Sequence, residues 1–168
     1  MQDTINIAGG RELAQFLQQL PLKIEKNIMR SALRAGARVI ADEAKLNVPV
    51  QLGDLKRSIR TGSNAKKGQV EAYARAGNKK AYYYRFVEYG TAAHIIKAGK
   101  NKKLLTFTAR DGKKVETQQV NHPGAVAKPY MRPALDSKGK EAVNAVTQQI
   151  RARLTKEGID TPAYEGIN

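Results

Sequence analysis

The sequence predicts an α+β domain: a mostly antiparallel sheet packed against a long N-terminal helix and a C-terminal helix, with a projecting basic β-hairpin. Three observations carry that expectation. Residues 22–46 place apolar side chains at helical spacing with small residues between them. Residues 133–157 form a second apolar stripe that stops at Gly158. Between the two helices lie several short β-type runs separated by polar turns.

Taken in order, residues 3–8 alternate around Ile5 and Ile7 and read as a short strand, which Gly9-Gly10 breaks. Leu13, Phe16, Leu17 and Leu20 then recur at helical spacing. Pro21 either ends that helix or occupies the first turn of the next. From Leu22 the spacing runs through Ile24, Ile28, Leu33, Val39 and Ile40 to about Leu46. Ala32, Ala35, Gly36, Ala37, Ala41 and Ala44 lie between and imply close approach of another backbone, from this chain or a neighbouring subunit. Val48-Pro49-Val50 ends the helix.

Gly53-Asp54 marks a turn, and residues 55–61 are expected as a strand. A polar turn over 62–68 joins it to residues 69–76, where Val70, Ala72, Ala74 and Ala76 alternate, as in a hairpin. In the aromatic stretch 79–90, Tyr82, Phe86 and Tyr89 are three or four apart, which fits a short helix or turn. Residues 98–103 form a basic loop. The runs 104–108 and 115–120 flank Asp111-Gly112, a strong hairpin signal, in an arm low in large apolar side chains. Asn121-His122-Pro123-Gly124 is a sharp turn. Pro133 starts the final helix, striped by Leu135, Val143, Val146, Ile150 and Leu154. The expected organisation is one domain over 1–158 with a hairpin arm at 93–121. Residues 159–168 read as a tail that orders against a partner.

With 168 residues, the chain suits one such domain. It has no cysteine, which excludes disulfides and thiolate metal sites. No run approaches the ~20 apolar residues of a membrane span. The N-terminus lacks the basic-then-apolar layout of a signal peptide. A soluble protein made in a cytoplasm, with no membrane partner, is therefore expected. The net charge of +15 points to a polyanion such as nucleic acid or an acidic protein. It equally suits a surface that repels its own copies until an assembly neutralises it.

Searches for chemistry return little. No serine occupies a G-x-S-x-G elbow, and neither GxxxxGK[ST] nor G-x-G-x-x-G occurs. His94 and His122 are the only histidines, and the sequence supplies no third group to orient them. Hydrogen bonds that fix the hairpin and the turn at Pro123-Gly124 explain them better than catalysis. No catalytic residue, cofactor or metal is expected. Glu88, among Tyr84, Phe86, Val87 and Tyr89, needs a partner if buried. Arg85, Arg60 or Arg132 could supply it, or a salt bridge across a subunit interface could. The aromatics beside Lys79, Lys80 and Arg85 suit an anchor or interface better than base stacking. Lys97, Lys100, Lys102, Lys103, Lys113 and Lys114 read as a solvated hairpin face, or as contacts to a polyanion or an acidic neighbour. The subunit-interface candidates are those six lysines with Tyr84, Phe86, Glu88, Tyr89, Tyr130 and Arg132.

Three motifs occur together in order. The first is Asn47-Val48-Pro49-Val50 followed by Gly53-Asp54-Leu55-Lys56-Arg57-Ser58-Ile59. The second is Tyr84-Arg85-Phe86-Val87-Glu88-Tyr89-Gly90-Thr91. The third is Asn121-His122-Pro123-Gly124 followed by Lys128-Pro129-Tyr130-Met131-Arg132-Pro133-Ala134. Their order and spacing resemble the neck or tail-component family of lambdoid long-tailed bacteriophages. Leu52-Gly53 replaces the usual Thr-Gly, and Tyr130 replaces the usual Phe.

The resemblance implies a non-enzymatic virion protein at the head–tail junction or in the tail, assembled in the host cytoplasm. It implies a homo-oligomeric ring of six subunits, with twelve as the alternative. Such a ring would complete the tail or join it to the head, and DNA would pass through its channel during genome ejection. The implied partners are other neck, head-completion, tail-tube and tail-terminator proteins, and phage DNA bound without sequence preference. The competing reading is a sequence-independent nucleic-acid-binding protein. A small hydrolase using His94 and His122 is the third.

Overall fold

In a computed structural model of the chain we describe residues 11, 15, 18–20, 22–66, 69–99, 103–109 and 111–159, the side chains of Leu22 and Lys23 excepted. The expected strand at Ile5 and Ile7, the helical residues Leu13, Phe16 and Leu17, Pro21, and residues 160–168 of the expected tail lie outside the described residues.

The frame is a pair of helices, α1 (Leu22–Asn47) and α4 (Met131–Lys156), each 26 residues and therefore about 39 Å long. They run antiparallel. Ile28 and Ala32 of α1 meet Ile150 and Leu154 of α4 at one end, while Ala41 and Ala44 meet Tyr130 and Ala134 at the other. Between these clusters Gly36 explains the small-residue pattern. A Cβ there would lie 2.7 Å from Val146 Cγ2 and 2.9 Å from the Ala142 carbonyl oxygen. The close approach therefore occurs within the chain. Beside the Ile28–Leu154 cluster, the Gln149 amide donates to Ser31 Oγ at 2.8 Å.

Helix α1 ends where Val48 N–H still reaches the Ala44 carbonyl and Pro49 can offer no further donor. Helix α4 ends in a two-bond turn: Gly158, at φ +69°, donates to the Thr155 carbonyl, and Ile159 donates to that of Leu154. Ile159 packs on the Ile150–Leu154 cluster, so the sequence's closing glycine is confirmed with its hydrophobic contact.

The middle of the chain differs from expectation in two ways. Residues 55–61 are not one strand: α2 (Asp54–Ser58) is a helical turn, and β1 (Arg60–Lys66) follows. Leu55, Ser58 and Ile59 are all buried, and their three-and-four spacing is a helical period. Arg57 fixes the turn by donating to Asp54 at 2.7 Å and to the Leu52 carbonyl at 3.1 Å. The second difference is that the strands form three separate antiparallel pairs instead of one sheet. β1 pairs with β2 (Gln69–Arg75), from Arg60↔Arg75 to Lys66↔Gln69, and this hairpin packs on α1. After α3 (Tyr84–Tyr89), β3 (His94–Lys97) pairs with β6 (Gln119–His122). Nested beyond them, β4 (Leu105–Thr108) pairs with β5 (Lys114–Thr117). The run expected over 115–120 is thus divided at Gln118, whose carbonyl accepts from Ala98 N–H.

The main core contains Ala41, Ala44, Val48, Leu55, Ile59, Ala81, Tyr130 and Ala134. Leu135, expected in the apolar stripe of α4, is instead 49% exposed. Neighbouring Ala134 takes the inward position.

Candidate assembly site

Glu88 ties the second and third motifs together. It is buried at the end of α3, and its carboxylate accepts three backbone hydrogen bonds from the start of α4. Tyr130 N–H donates at 2.8 Å and Met131 N–H at 3.0 Å to Oε2, and Arg132 N–H donates at 3.0 Å to Oε1. A helix N-terminus leaves its first four N–H groups without intrahelical partners. Here three are satisfied by Glu88, and the fourth position is Pro133, which has no N–H. The positive end of the helix dipole also favours a carboxylate at this point.

This corrects the expected arginine partner. Arg60 donates to the Ser58 and Gly77 carbonyls, Arg85 to the Tyr84 hydroxyl, and Arg132 to Asp136. None of the three guanidinium groups pairs with Glu88, whose carboxylate is used by backbone N–H groups inside the chain.

Two backbone contacts continue the same tie. Thr91 and Ala125 exchange N–H···O bonds of 2.9 and 3.0 Å in an isolated antiparallel bridge, and Lys128 N–H donates to the Val87 carbonyl at 2.8 Å. The bridge leaves no room for side chains. A Cβ on Gly90 would lie 2.6 Å from the Ala125 carbonyl oxygen, and one on Gly124 would collide with the Thr91 carbonyl. Both glycines also hold positive φ, +71° and +89°. The first motif joins through Ser58, which is buried, donates to the Leu55 carbonyl and accepts from Gly77 N–H at 2.9 Å. Tyr130 completes the knot from the third motif. Its phenol is raised well above its ordinary range, by burial first and then by the Glu88 carboxylate.

The interface candidates divide on this geometry. Glu88 and Tyr130 are internal. Tyr84 is half-buried against the core. Phe86 and Tyr89, on the same short helix, are 55% and 79% exposed. Arg132 is exposed and bonds Asp136. Lys97, Lys103, Lys113 and Lys114 are exposed, and Lys113 makes a loose 3.7 Å pair with Asp111. Lys100 and Lys102 lie outside the described residues.

Beside Tyr89 an apolar groove of about 530 Å³ runs between α1 and α4, lined by Leu33, Ile40, Met131, Leu135, Val143 and Val146 among others. On the arm, Ile95, Ile96, Leu104 and Phe107 are exposed. None of its four strands joins the β1–β2 sheet.

The histidines face each other across β3 and β6, with ring centroids 5.0 Å apart. Each Nδ1 is held locally: that of His94 by the Ala92 carbonyl at 2.9 Å, and that of His122 by Gly124 N–H at 3.0 Å. His122 pins the Pro123-Gly124 turn as expected, whereas His94 bonds the Ala92 carbonyl before β3 instead of the hairpin. Among the described residues no group of three His, Asp or Glu could hold a metal ion. Among the described residues no helix is long and apolar enough to cross a membrane.

A family model described as "Bacteriophage HK97-gp10, putative tail-component" matches residues 11–90. The chain is similar to this tail-component family over the part that contains α1, α2, the β1–β2 hairpin and α3, in agreement with the resemblance carried by the motifs. Among curated proteins and solved structures, none matches the chain.

Proposed function

We propose that the chain is a structural subunit of a tailed phage virion that closes into a ring at the head–tail junction, where it completes the tail and connects it to the head. The likeness to a tail component supports the virion setting. The observation that carries the ring is the arm. Its strands pair among themselves and leave Ile95, Ile96, Leu104 and Phe107 exposed without a core of their own. Exposed apolar side chains on a self-paired ribbon gain from burial against another copy. Tyr89 and Leu135, which line the helix-pair groove and are exposed, offer the complementary surface. An arm seated in the groove of the next copy would make a head-to-tail contact, which closes by rotation into a ring.

In this reading residues 1–158 act as one domain with the arm at 93–121; Ile159, the first residue of the expected tail, already packs on the domain, and the remaining residues 160–168 contact a neighbour. The partners are five or eleven further copies, the neck, head-completion and tail-terminator proteins above and below, and DNA in the channel. The subunit performs no catalysis, and it assembles in the host cytoplasm. The test is electron microscopy of purified tailed particles, with the chain located by a fused tag. A ring of density at the junction supports the proposal. Absence of the chain from purified particles would refute it.

A further inference from the structure

Helix α1 bears a row of cations that none of the three motifs explains. Lys26, Arg30, Arg34 and Arg38 recur every fourth residue, and all four side chains are exposed. The row climbs about 6 Å per step and drifts about 40° around the helix each time. Arg30 and Arg34 stand two residues before the buried Ala32 and Gly36, so they point about 160° away from the packed face. None of the four forms an ion pair among the described residues. The one carboxylate placed to continue the row, Asp42, is bound by Lys45 at 2.8 Å.

The partner helix shows that this is not how every exposed face of the molecule is built. On α4 carboxylates stand among the cations and two of them are matched, Asp136 with Arg132 and Glu141 with Lys138, while Lys140 and Lys156 are exposed without an ion pair among the described residues. A solvated face mixes signs in that way. Four cations of one sign without ion pairs, rising about 18 Å along the helix within an arc of about 120°, make an extended counter-charge.

We propose that the Lys26–Arg30–Arg34–Arg38 row is a binding site for the phosphate backbone of duplex DNA. Duplex DNA fits a row of this kind because it presents a phosphate every ~3.4 Å along each strand. Flexible lysine and arginine stems can follow that spacing without registering on bases. Contacts to phosphate oxygens carry no sequence information, so the contact is sequence-independent. This deepens the ring reading and rests on it only for placement: in a ring, α1 would turn this face toward the channel.

The experiment is a salt titration of the full chain with a fluorescent 30-base-pair duplex. It compares the unmodified protein with K26Q/R30Q/R34Q/R38Q, with R30K/R34K/R38K and with the arm variant K103S/K113S/K114S. Loss of four phosphate contacts lowers the slope of log K against log salt by about 3–4. The glutamine variant should show that fall and bind at least about 100-fold more weakly at low salt. The lysine variant should keep the slope, and the arm variant should lose at most a small part of it. Unchanged thermal unfolding of the glutamine variant would show that the loss is not misfolding. Equal slopes for the glutamine variant and the unmodified chain would overturn the proposal. So would tighter binding of poly-glutamate than of the duplex at matched charge, which would mark an acidic protein surface instead. Either outcome leaves the ring reading intact, since particle microscopy decides that separately.

Discussion

The knot around Glu88 and the arm that leaves it meet at the Thr91–Ala125 bridge, yet opposite forces hold them. In the knot almost every group is spoken for within the chain. A buried carboxylate satisfies three N–H groups, Ser58 latches Gly77, and Tyr130 and Ala134 are buried beneath them. In the arm the strands pair only as two nested ladders, most of their residues are exposed, and large apolar side chains stand uncovered. The first region stabilises one subunit, and the second becomes stable in contact with another. Damage to the knot should therefore appear in unfolding experiments. Damage to the arm should appear in assembly.

The largest effect is expected at Glu88. Glu88→Ala strands three helix N–H groups in a buried site and should cost about 3 kcal/mol, measured by urea unfolding. Glu88→Gln keeps one acceptor oxygen and should lose about half as much. If Glu88→Ala left stability unchanged, the knot would not be the element that holds α4.

Two glycines sharpen the comparison, because both have positive φ but only one is enclosed. Gly124→Ala meets the Thr91 carbonyl and should destabilise by about 2–3 kcal/mol, combining strain with a backbone collision. Gly112→Ala, at the arm's tip with nothing within 4 Å, should cost only about 1 kcal/mol. Equal losses would mean that the arm tip is packed as tightly as its base.

Tyr130 adds a pH dependence to the knot. Its phenol is raised in the folded protein, so its contribution is fully present below the ordinary value of 10.0. That contribution is lost as pH rises above 10, where the unfolded chain ionises first. Tyr130→Phe should flatten that alkaline loss while leaving neutral stability nearly unchanged. The hydroxyl's bond to the Tyr84 carbonyl is long, at 3.5 Å. An alkaline limb of the same steepness in both proteins would contradict this.

The smallest effect on stability is expected for K103S/K113S/K114S. Exposed side chains of this kind contribute within about 0.5 kcal/mol. The same variant should lower ring formation, read as the yield of tailed particles. An unchanged infectious titre would remove these lysines from assembly.

The two regions also differ in how far they were legible in the sequence. The helices were readable because their apolar period repeats over many residues, and Gly36 and Gly158 carried local signals. The Asp111-Gly112 turn was readable too. The Glu88 cap was not: its donors lie 42 to 44 residues away, and nothing in local spacing links a carboxylate to a distant helix start. The arginines nearby offered a simpler partner, and that expectation failed. The turn at Leu55, Ser58 and Ile59 was missed because one helical period in five residues looks like an irregular strand. The basic row on α1 was not legible because its cations are spread four residues apart among apolar ones, without the density of the arm's lysines.

The most direct test removes the arm and keeps the knot. Lys97 and Gln119 are paired across β3 and β6, so residues 98–118 can be replaced by a two-residue Asn-Gly turn. Quantitative mass spectrometry of tailed particles assembled with this trimmed chain, after its unfolding has been compared with that of the full protein, is the decisive measurement. The account predicts a folded subunit within about 1 kcal/mol of the original stability that is missing from the particles. Incorporation at the normal copy number would contradict it.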